Sequence, residues 1–394
     1  MNYLGLYIHI PFCQSKCGYC DFYSVKATER AQDAYVEALL MQMKEYVLAT
    51  KDKIFDTVFI GGGTPTSIKN VDLLKIIKTA QKCFSISKGC EFTIEANPRT
   101  VDYKGLKSLY KAGVNRLSIG LQSIHANELK ALSRIHSFDD FTECYENALQ
   151  VGFENINIDV MYGIPHQTLG SFYDTLKKVI SLKPSHISAY GLKIEPGTKF
   201  YVMSDKLKMS LPSEETEREM YLMCCELLEK NGYNQYEISN FAKKNYECRH
   251  NLKYWNCSEY IGLGVSAHSY FGDYRFSFKK NIKDYIKSFS YNQKNMQNIG
   301  VFDLERYNLF DEYTEIKPNE RIGEFVMLSF RLKNGINKNK FARLFHKDFD
   351  YMYYHRIRPF IESGHILPTE RGYAFSREGM FVSNYILSRI LEFE

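Results

Sequence analysis

The feature that most constrains this chain is an alternation repeated six times. Short runs rich in β-branched and aromatic residues occur at Leu6–Ile10, Thr57–Ile60, Phe92–Glu95, Arg116–Ile119, Asn155–Met161 and Ser185–Gly191. Between them lie stretches with helical spacing: Gln32–Leu48, Leu73–Ala80, Tyr103–Ala112, Ala126–Ser133, Phe138–Val151 and Leu169–Ser181. In the first of these, Tyr35, Val36, Leu39, Leu40, Met43 and Val47 fall on one face. Strand, helix and strand in repetition predict right-handed βαβ units around a parallel sheet. Six such units predict an α/β fold of the partial TIM type, a (β/α)6 barrel, with a doubly wound sheet as the alternative. Most strands run into polar or Gly/Pro loops: Pro11-Phe12-Cys13, Gly61-Gly62-Gly63-Thr64-Pro65, Glu95-Ala96-Asn97-Pro98, Gly120-Leu121-Gln122-Ser123, and Asp159 with Gly163-Ile164-Pro165. Parallel α/β folds bind ligands at the C-terminal ends of their strands. Five polar loops are therefore expected to converge on one mouth.

The pattern changes near residue 210. Pro212–Asn231 reads as an amphipathic helix opened by Ser213 and closed by Asn231-Gly232. An aromatic, polar stretch follows from Tyr233 to Tyr274, and Asn281–Asn298 is rich in Lys and Asn. From Pro318 on, Arg321–Leu332, Lys338–Phe345 and Tyr351–Ser363 have helical spacing. Ile366–Pro368 and Tyr373–Phe375 flank Glu370-Arg371-Gly372 as a hairpin. The expected division is 1–210 (partial barrel), 211–280 (extension at the barrel mouth) and 281–394 (a small helical, winged-helix-like domain). That last shape often reads nucleic acid, but from Pro318 it carries twelve basic against nine acidic residues. A net charge of +5 across 394 residues gives no further support to nucleic acid as a partner. No run of 18 apolar residues predicts a membrane span. The start MNYLGLYIHIPFC lacks the basic start and small-residue cleavage site of a signal peptide, so a cytoplasmic protein is expected.

Seven of the ten cysteines are scattered as small buried hydrophobes would be. The other three form Cys13-x3-Cys17-x2-Cys20. Thiolates select iron–sulfur clusters or zinc. The next residues are Asp21 and Phe22, so a closed zinc site would need a distant fourth ligand, whereas a cubane on three thiolates keeps one iron open.

Tyr7-Ile8-His9-Ile10-Pro11-Phe12-Cys13, with Cys17-Gly18-Tyr19-Cys20-Asp21-Phe22, resembles the radical S-adenosylmethionine (SAM) superfamily. Within it the chain resembles the branch of oxygen-independent coproporphyrinogen III oxidases and HemW-type haem chaperones. The resemblance continues in order through the loops above, Arg134-Ile135-His136, Ile194-Glu195-Pro196, His250-Asn251-Leu252-Lys253-Tyr254-Trp255 and Gly262-x-Gly264-x-x-Ala267-His268. It implies a 4Fe–4S cluster on Cys13, Cys17 and Cys20. It implies a SAM site formed by Tyr7, Gly62, Gly63, Thr64, Glu95, Gln122, Arg134 and Asp159. It implies haem at His250, Asn251, Tyr254 and Trp255, with His268 as a second candidate and the aromatic stretch covering the haem at the mouth.

Two functions follow: a carrier that passes haem to apo-haem proteins or membrane respiratory proteins, as a monomer or homodimer, or an oxidase that decarboxylates coproporphyrinogen propionates. The oxidase typically has a fourth cysteine where Phe22 stands and an extension ahead of the cluster loop, and the H-N-x-x-Y-W string is associated with the chaperone. The carrier is therefore expected, with no catalytic residue assigned.

Overall fold

The computed structural model describes residues 3–203, 205, 210–290 and 309–391. All six expected strands form: β1 (Tyr3–Ile10), β2 (Ile54–Gly62), β3 (Ile86–Ala96), β4 (Arg116–Gln122), β5 (Asn155–Tyr162) and β6 (His186–Gly191). They pair in parallel in the order 1-2-3-4-5-6. A doubly wound sheet reverses its strand order at a switch point; here the order never reverses. Right-handed crossovers that all step one way leave their helices on one face, which is the winding of a barrel. The helices are α1 (Glu29–Glu45), α2 (Asn70–Cys83), α3 (Tyr103–Lys111), α4 (Ala126–Ala131), α5 (Phe138–Val151) and α6 (Leu169–Ser181).

Local chemistry sets their ends. Thr28, Asp102, Ser137 and Thr168 each accept a backbone N–H at a helix start, and Gly152 closes α5 in the left-handed region. On β1 the residues Leu4, Leu6, Ile8 and Ile10 are fully buried beneath helices, and the alternate residues Gly5, Tyr7 and His9 line the opposite, inner face.

The sheet extends past these units at both edges. On one side β7 (Asn234–Gln235) and β8 (Asn240–Ala242) join antiparallel to β6. On the other, β9 (Tyr260–Leu263) runs parallel to β1, followed by antiparallel β10 (His268–Phe271), β11 (Tyr274–Phe278) and β12 (Phe310–Glu315). Twelve strands result, ordered 12-11-10-9-1-2-3-4-5-6-8-7, with the ring left open between the two edges. Strands of two to five residues give little period-2 signal, so the stretch from Tyr233 to Tyr274 reads as irregular in sequence. The helix Glu214–Lys230 packs on α6. Of the Lys/Asn-rich stretch, Ile282–Ser290 is helical, and residues 291–298 lie outside the described residues.

The C-terminal part is helical: Pro318–Phe330, Lys338–Phe345, Phe349–Glu362, Arg377–Phe381 and Ser383–Leu391. The expected hairpin pairs β14 (Ile366–Thr369) with β15 (Gly372–Phe375), and β13 (Ile336–Asn337) adds a third strand. Arg218–Glu378 and Arg377–Glu229 ion pairs tie this part to the helix Glu214–Lys230. Among the described residues no helix is long and apolar enough to cross a membrane.

Candidate cluster and ligand site

The loop carrying the three thiols leaves the C-terminal end of β1 and is clamped at its base. The Cys13 amide donates to the Val25 carbonyl (3.2 Å), and the Val25 amide donates to Pro11 (2.8 Å). Phe12, buried edge-on against Tyr35, anchors the exit from the strand. Gly18 is required by packing: a Cβ there would stand 2.5 Å from the Phe200 ring, whose amide donates to the Gly18 carbonyl at 2.9 Å. Cys13, Cys17 and Cys20 are unpaired and half-buried. Burial pushes the Cys20 thiol up to about 11.

No set of three or more His, Cys, Asp and Glu side chains among the described residues closes on a single metal ion. Zinc would draw its thiolates to about 2.3 Å from one centre. A cubane binds each thiolate through a separate iron, and Cys13, Cys17 and Cys20 offer three free thiols on one loop for that chemistry.

Polar side chains from three loops brace the thiols. Cys13 Sγ contacts Thr64 Oγ1 at 3.6 Å. Asn97 Nδ2 donates to Thr64 Oγ1 (2.7 Å), and Asn97 Oδ1 accepts from Arg134 Nη2 (2.9 Å). Arg134 also donates to the Gly120 carbonyl (2.8 Å), and its Nη1 reaches Cys17 Sγ at 3.7 Å. An unbroken chain Cys13–Thr64–Asn97–Arg134–Cys17 thus spans the mouth. Arg134 Nε is buried without a partner. Gly63 tolerates no side chain, because its Cβ would lie 2.6 Å from the Phe12 carbonyl. Gly62 has φ +110 and sits over the His9 ring, a position only glycine occupies without strain.

Below this rim the lumen holds two carboxylates. Glu95 Oε2 accepts from the Gly62 amide (3.1 Å), and Asp159 Oδ1 accepts from Asn157 (2.7 Å). Burial first, then the charge of Asp159, pushes Glu95 up to about 7. Burial also raises Asp159. Two desolvated carboxylates facing one chamber favour a cationic ligand. SAM, with its ammonium and sulfonium, has that chemistry, so the donor set fits it. Gln122, at a register shift between β4 and β5 and with φ +70, accepts from the Tyr190 hydroxyl (2.9 Å). The Tyr7 hydroxyl lies 3.0 Å from His9 Nδ1, and His9 Nε2 lies 2.9 Å from the Tyr23 carbonyl. A carbonyl only accepts, so Nε2 carries the proton, Nδ1 accepts and Tyr7 donates. Burial holds His9 down to about 4, keeping it neutral.

The H-N-x-x-Y-W string forms the helix Arg249–Trp255 and is not at the mouth. It enters the lumen at the N-terminal ends of the strands, where Lys253 pairs with Asp56 (2.6 Å) and Glu91 accepts the amides of Arg249 and His250 (both 2.9 Å). The expected barrel-mouth position is corrected by this packing. His250 is 1% exposed, with Nδ1 on Thr57 Oγ1 and Nε2 on the Tyr254 hydroxyl, both at 2.8 Å. As folded, both His250 ring nitrogens and the Tyr254 hydroxyl are engaged in hydrogen bonds within the protein. Asn251 and Trp255 are half-buried on the same helix, and His268 is exposed on β10.

Sequence reasoning missed Asn97 as a site residue although its motif was in view, and it missed Tyr190. Asn97 follows a buried strand end directly, which is the signal that could have found it.

A family model described as the radical SAM superfamily matches residues 7–179, and one described as the HemN C-terminal domain matches residues 316–382. The chain is 34% identical to the curated "Heme chaperone HemW" of Bacillus subtilis, over 98% of both chains. It is 38% identical to the protein of the same name from Escherichia coli, over 67% of this chain and 69% of that one. Among solved structures, the coproporphyrinogen III oxidase HemN of Escherichia coli superposes with a TM-score of 0.85 at 22% identity, covering 100% of this chain and 91% of that one.

Proposed function

This chain belongs to the HemW family within the radical SAM superfamily, and from that premise we propose that it is a cytoplasmic haem chaperone. Haem is its cargo, received and passed to apo-haem proteins or membrane respiratory proteins. Cys13, Cys17 and Cys20 would hold a 4Fe–4S cluster, which when bound would offer SAM an iron free of protein ligands. The chain's own residues do the rest. Thr64 and Arg134 stand against two of the thiolates, and Asn97 fixes both. Glu95 and Asp159 set negative charge toward the cationic part of SAM, and the Gly62 amide orients Glu95. Tyr7, Gly63 and Gln122 complete the wall of that chamber.

The observation that carries this reading is the similarity, nearly end to end, to curated haem chaperones. Likeness to the oxidase structure speaks only to the fold, and Phe22 stands where that enzyme type has a further cysteine. The test uses anaerobically reconstituted protein. One sample receives SAM, reductant and coproporphyrinogen III; another receives haem and then an apo-haem protein. A stable Soret band that moves to the acceptor, without protoporphyrinogen formation, is expected. Protoporphyrinogen formation with no haem transfer overturns the reading.

A further inference from the structure

The helix Arg249–Trp255 has no role in the cluster loop, and its position calls for one. It fills the lower end of the lumen. A Cβ on Gly5 would meet Lys253, His250 and Tyr260 at 3.0–3.2 Å, so the helix lies directly against the inner face of β1. Its amino end is held by Glu91 of β3, whose two carboxylate oxygens accept separate backbone amides. His250 stacks on Phe59 (ring centroids 5.3 Å), and Phe59 lies 6.2 Å from the Tyr7 ring. Tyr254 packs edge-on against both His250 and Tyr260. A Cβ on Gly61 would meet both Glu95 Oε2 and the Phe59 ring at 2.9 Å, so Glu95 stands beside the ring that links His250 to Tyr7.

From this floor, a line of contacts climbs to the cluster loop. Thr57 and Tyr254 fix the His250 ring; His250 supports Phe59; Phe59 supports Tyr7; Tyr7 donates to His9; and His9 donates to the carbonyl of Tyr23, three residues past Cys20. Each ring nitrogen on the path is already engaged. Using His250 as an iron ligand would require breaking a buried hydrogen bond and opening the lumen.

We infer that His250 and Tyr254 are positioning residues that close the chamber beneath Tyr7 and Glu95 and hold the inner wall of the SAM site, and that neither ligates haem iron. The inference rests on the mouth being a SAM site, as proposed above, and locates cargo haem away from this helix.

The experiment compares Tyr254→Phe, His250→Gln and Thr57→Val in anaerobically reconstituted full-length protein. Thr57 carries no iron-ligating atom and lies outside the motif, so it isolates the floor from any ligand role. Two readouts are taken: SAM affinity with the SAM-induced change in the reduced cluster's EPR spectrum, and haem titration followed at the Soret band. Displaced supporting groups commonly cost ten- to a hundredfold at such centres. SAM affinity is expected to fall roughly tenfold in all three variants, with an altered EPR response and an unchanged Soret maximum and stoichiometry. A lost or shifted Soret band in Tyr254→Phe or His250→Gln with normal SAM binding overturns the inference, as does normal behaviour of all three variants in both readouts. Where a motif variant loses both, Thr57→Val decides. The same twin loss overturns the placement of haem away from this helix; an intact haem titration there, beside a haem-dead His250→Gln, overturns the positioning role. If wild-type protein takes up no haem, the carrier reading fails, while the SAM readout still decides the positioning role.

Discussion

The two ends of the lumen are furnished with different residues and are held together in different ways. At the mouth, cysteines, Thr64, Asn97 and Arg134 form a chain whose thiols are half-exposed and whose guanidinium keeps one buried nitrogen unmatched. At the floor, His250 and Tyr254 sit among Thr57, Glu91 and Phe59 with both imidazole nitrogens bonded inside the protein. Hydrogen-bonding capacity left over in a buried place is costly and points to a ligand. Capacity fully used points to architecture. The thiols and Arg134 of the mouth therefore read as a ligand site and the fully bonded His250 ring as a support, although Arg116 Nε at the start of β4 is also buried without a partner.

The contrast breaks most visibly at the thiols. Cys17→Ala is expected to abolish cluster assembly, with iron and acid-labile sulfide at background after reconstitution. The metal-free protein should melt within about 2 °C of wild type, since a half-exposed side chain contributes roughly 0.5 kcal/mol or less. Full iron loading of this variant would show that the trio is not the cluster ligand set.

Asn97→Ala sharpens the account of the mouth. It leaves Thr64 and Arg134 without their shared partner, a loss of about 1–3 kcal/mol in a buried network. The cluster should still assemble but bleach several times faster in air, and SAM affinity should fall about tenfold. Bleaching and SAM binding both equal to wild type would sink the bracing role.

At the floor the reverse is expected. Glu91→Ala removes the acceptor of two helix-start amides, so the melting temperature should drop by about 2–3 °C for a loss near 2 kcal/mol. Iron content after reconstitution should hold. Loss of iron with an unchanged melt would reverse the assignment of the two ends.

The smallest effect is in pH. Glu95 ionises at about 7 in the fold, against 4.5 unperturbed, because burial and then Asp159 oppose its charge. The neutral form is favoured by folding, so this contribution to stability is complete below 4.5 and lost as pH rises through 7. Wild-type stability measured against Glu95→Gln should therefore decline across that window. SAM affinity of the wild type should rise over the same range as the carboxylate gains charge. A flat difference between the two proteins from pH 5 to 8 would show that Glu95 is not desolvated.

Much of this was legible in the sequence because its signals are local. Six β-branched runs at βα spacing specified the parallel βα units, and Cys13-x3-Cys17-x2-Cys20 marked the loop after β1. The helix start at Ser213 is written in a hydroxyl that caps its own backbone. The short strands β7 to β10 were not legible, because two to four residues carry too little periodicity to distinguish a strand from a loop. Asn97 was read as part of a turn; its reach to Arg134, 37 residues away, has no local trace.

What the sequence determined by itself is the order of elements and the chemistry each strand delivers at its end, since propensity, capping and hydrophobic period act within a few residues. What only the tertiary structure decided is which end of the lumen each aromatic and histidine occupies. That choice follows from packing: Glu91 captures the amides of a helix 158 residues further on, and the helix then has room only beneath Tyr7.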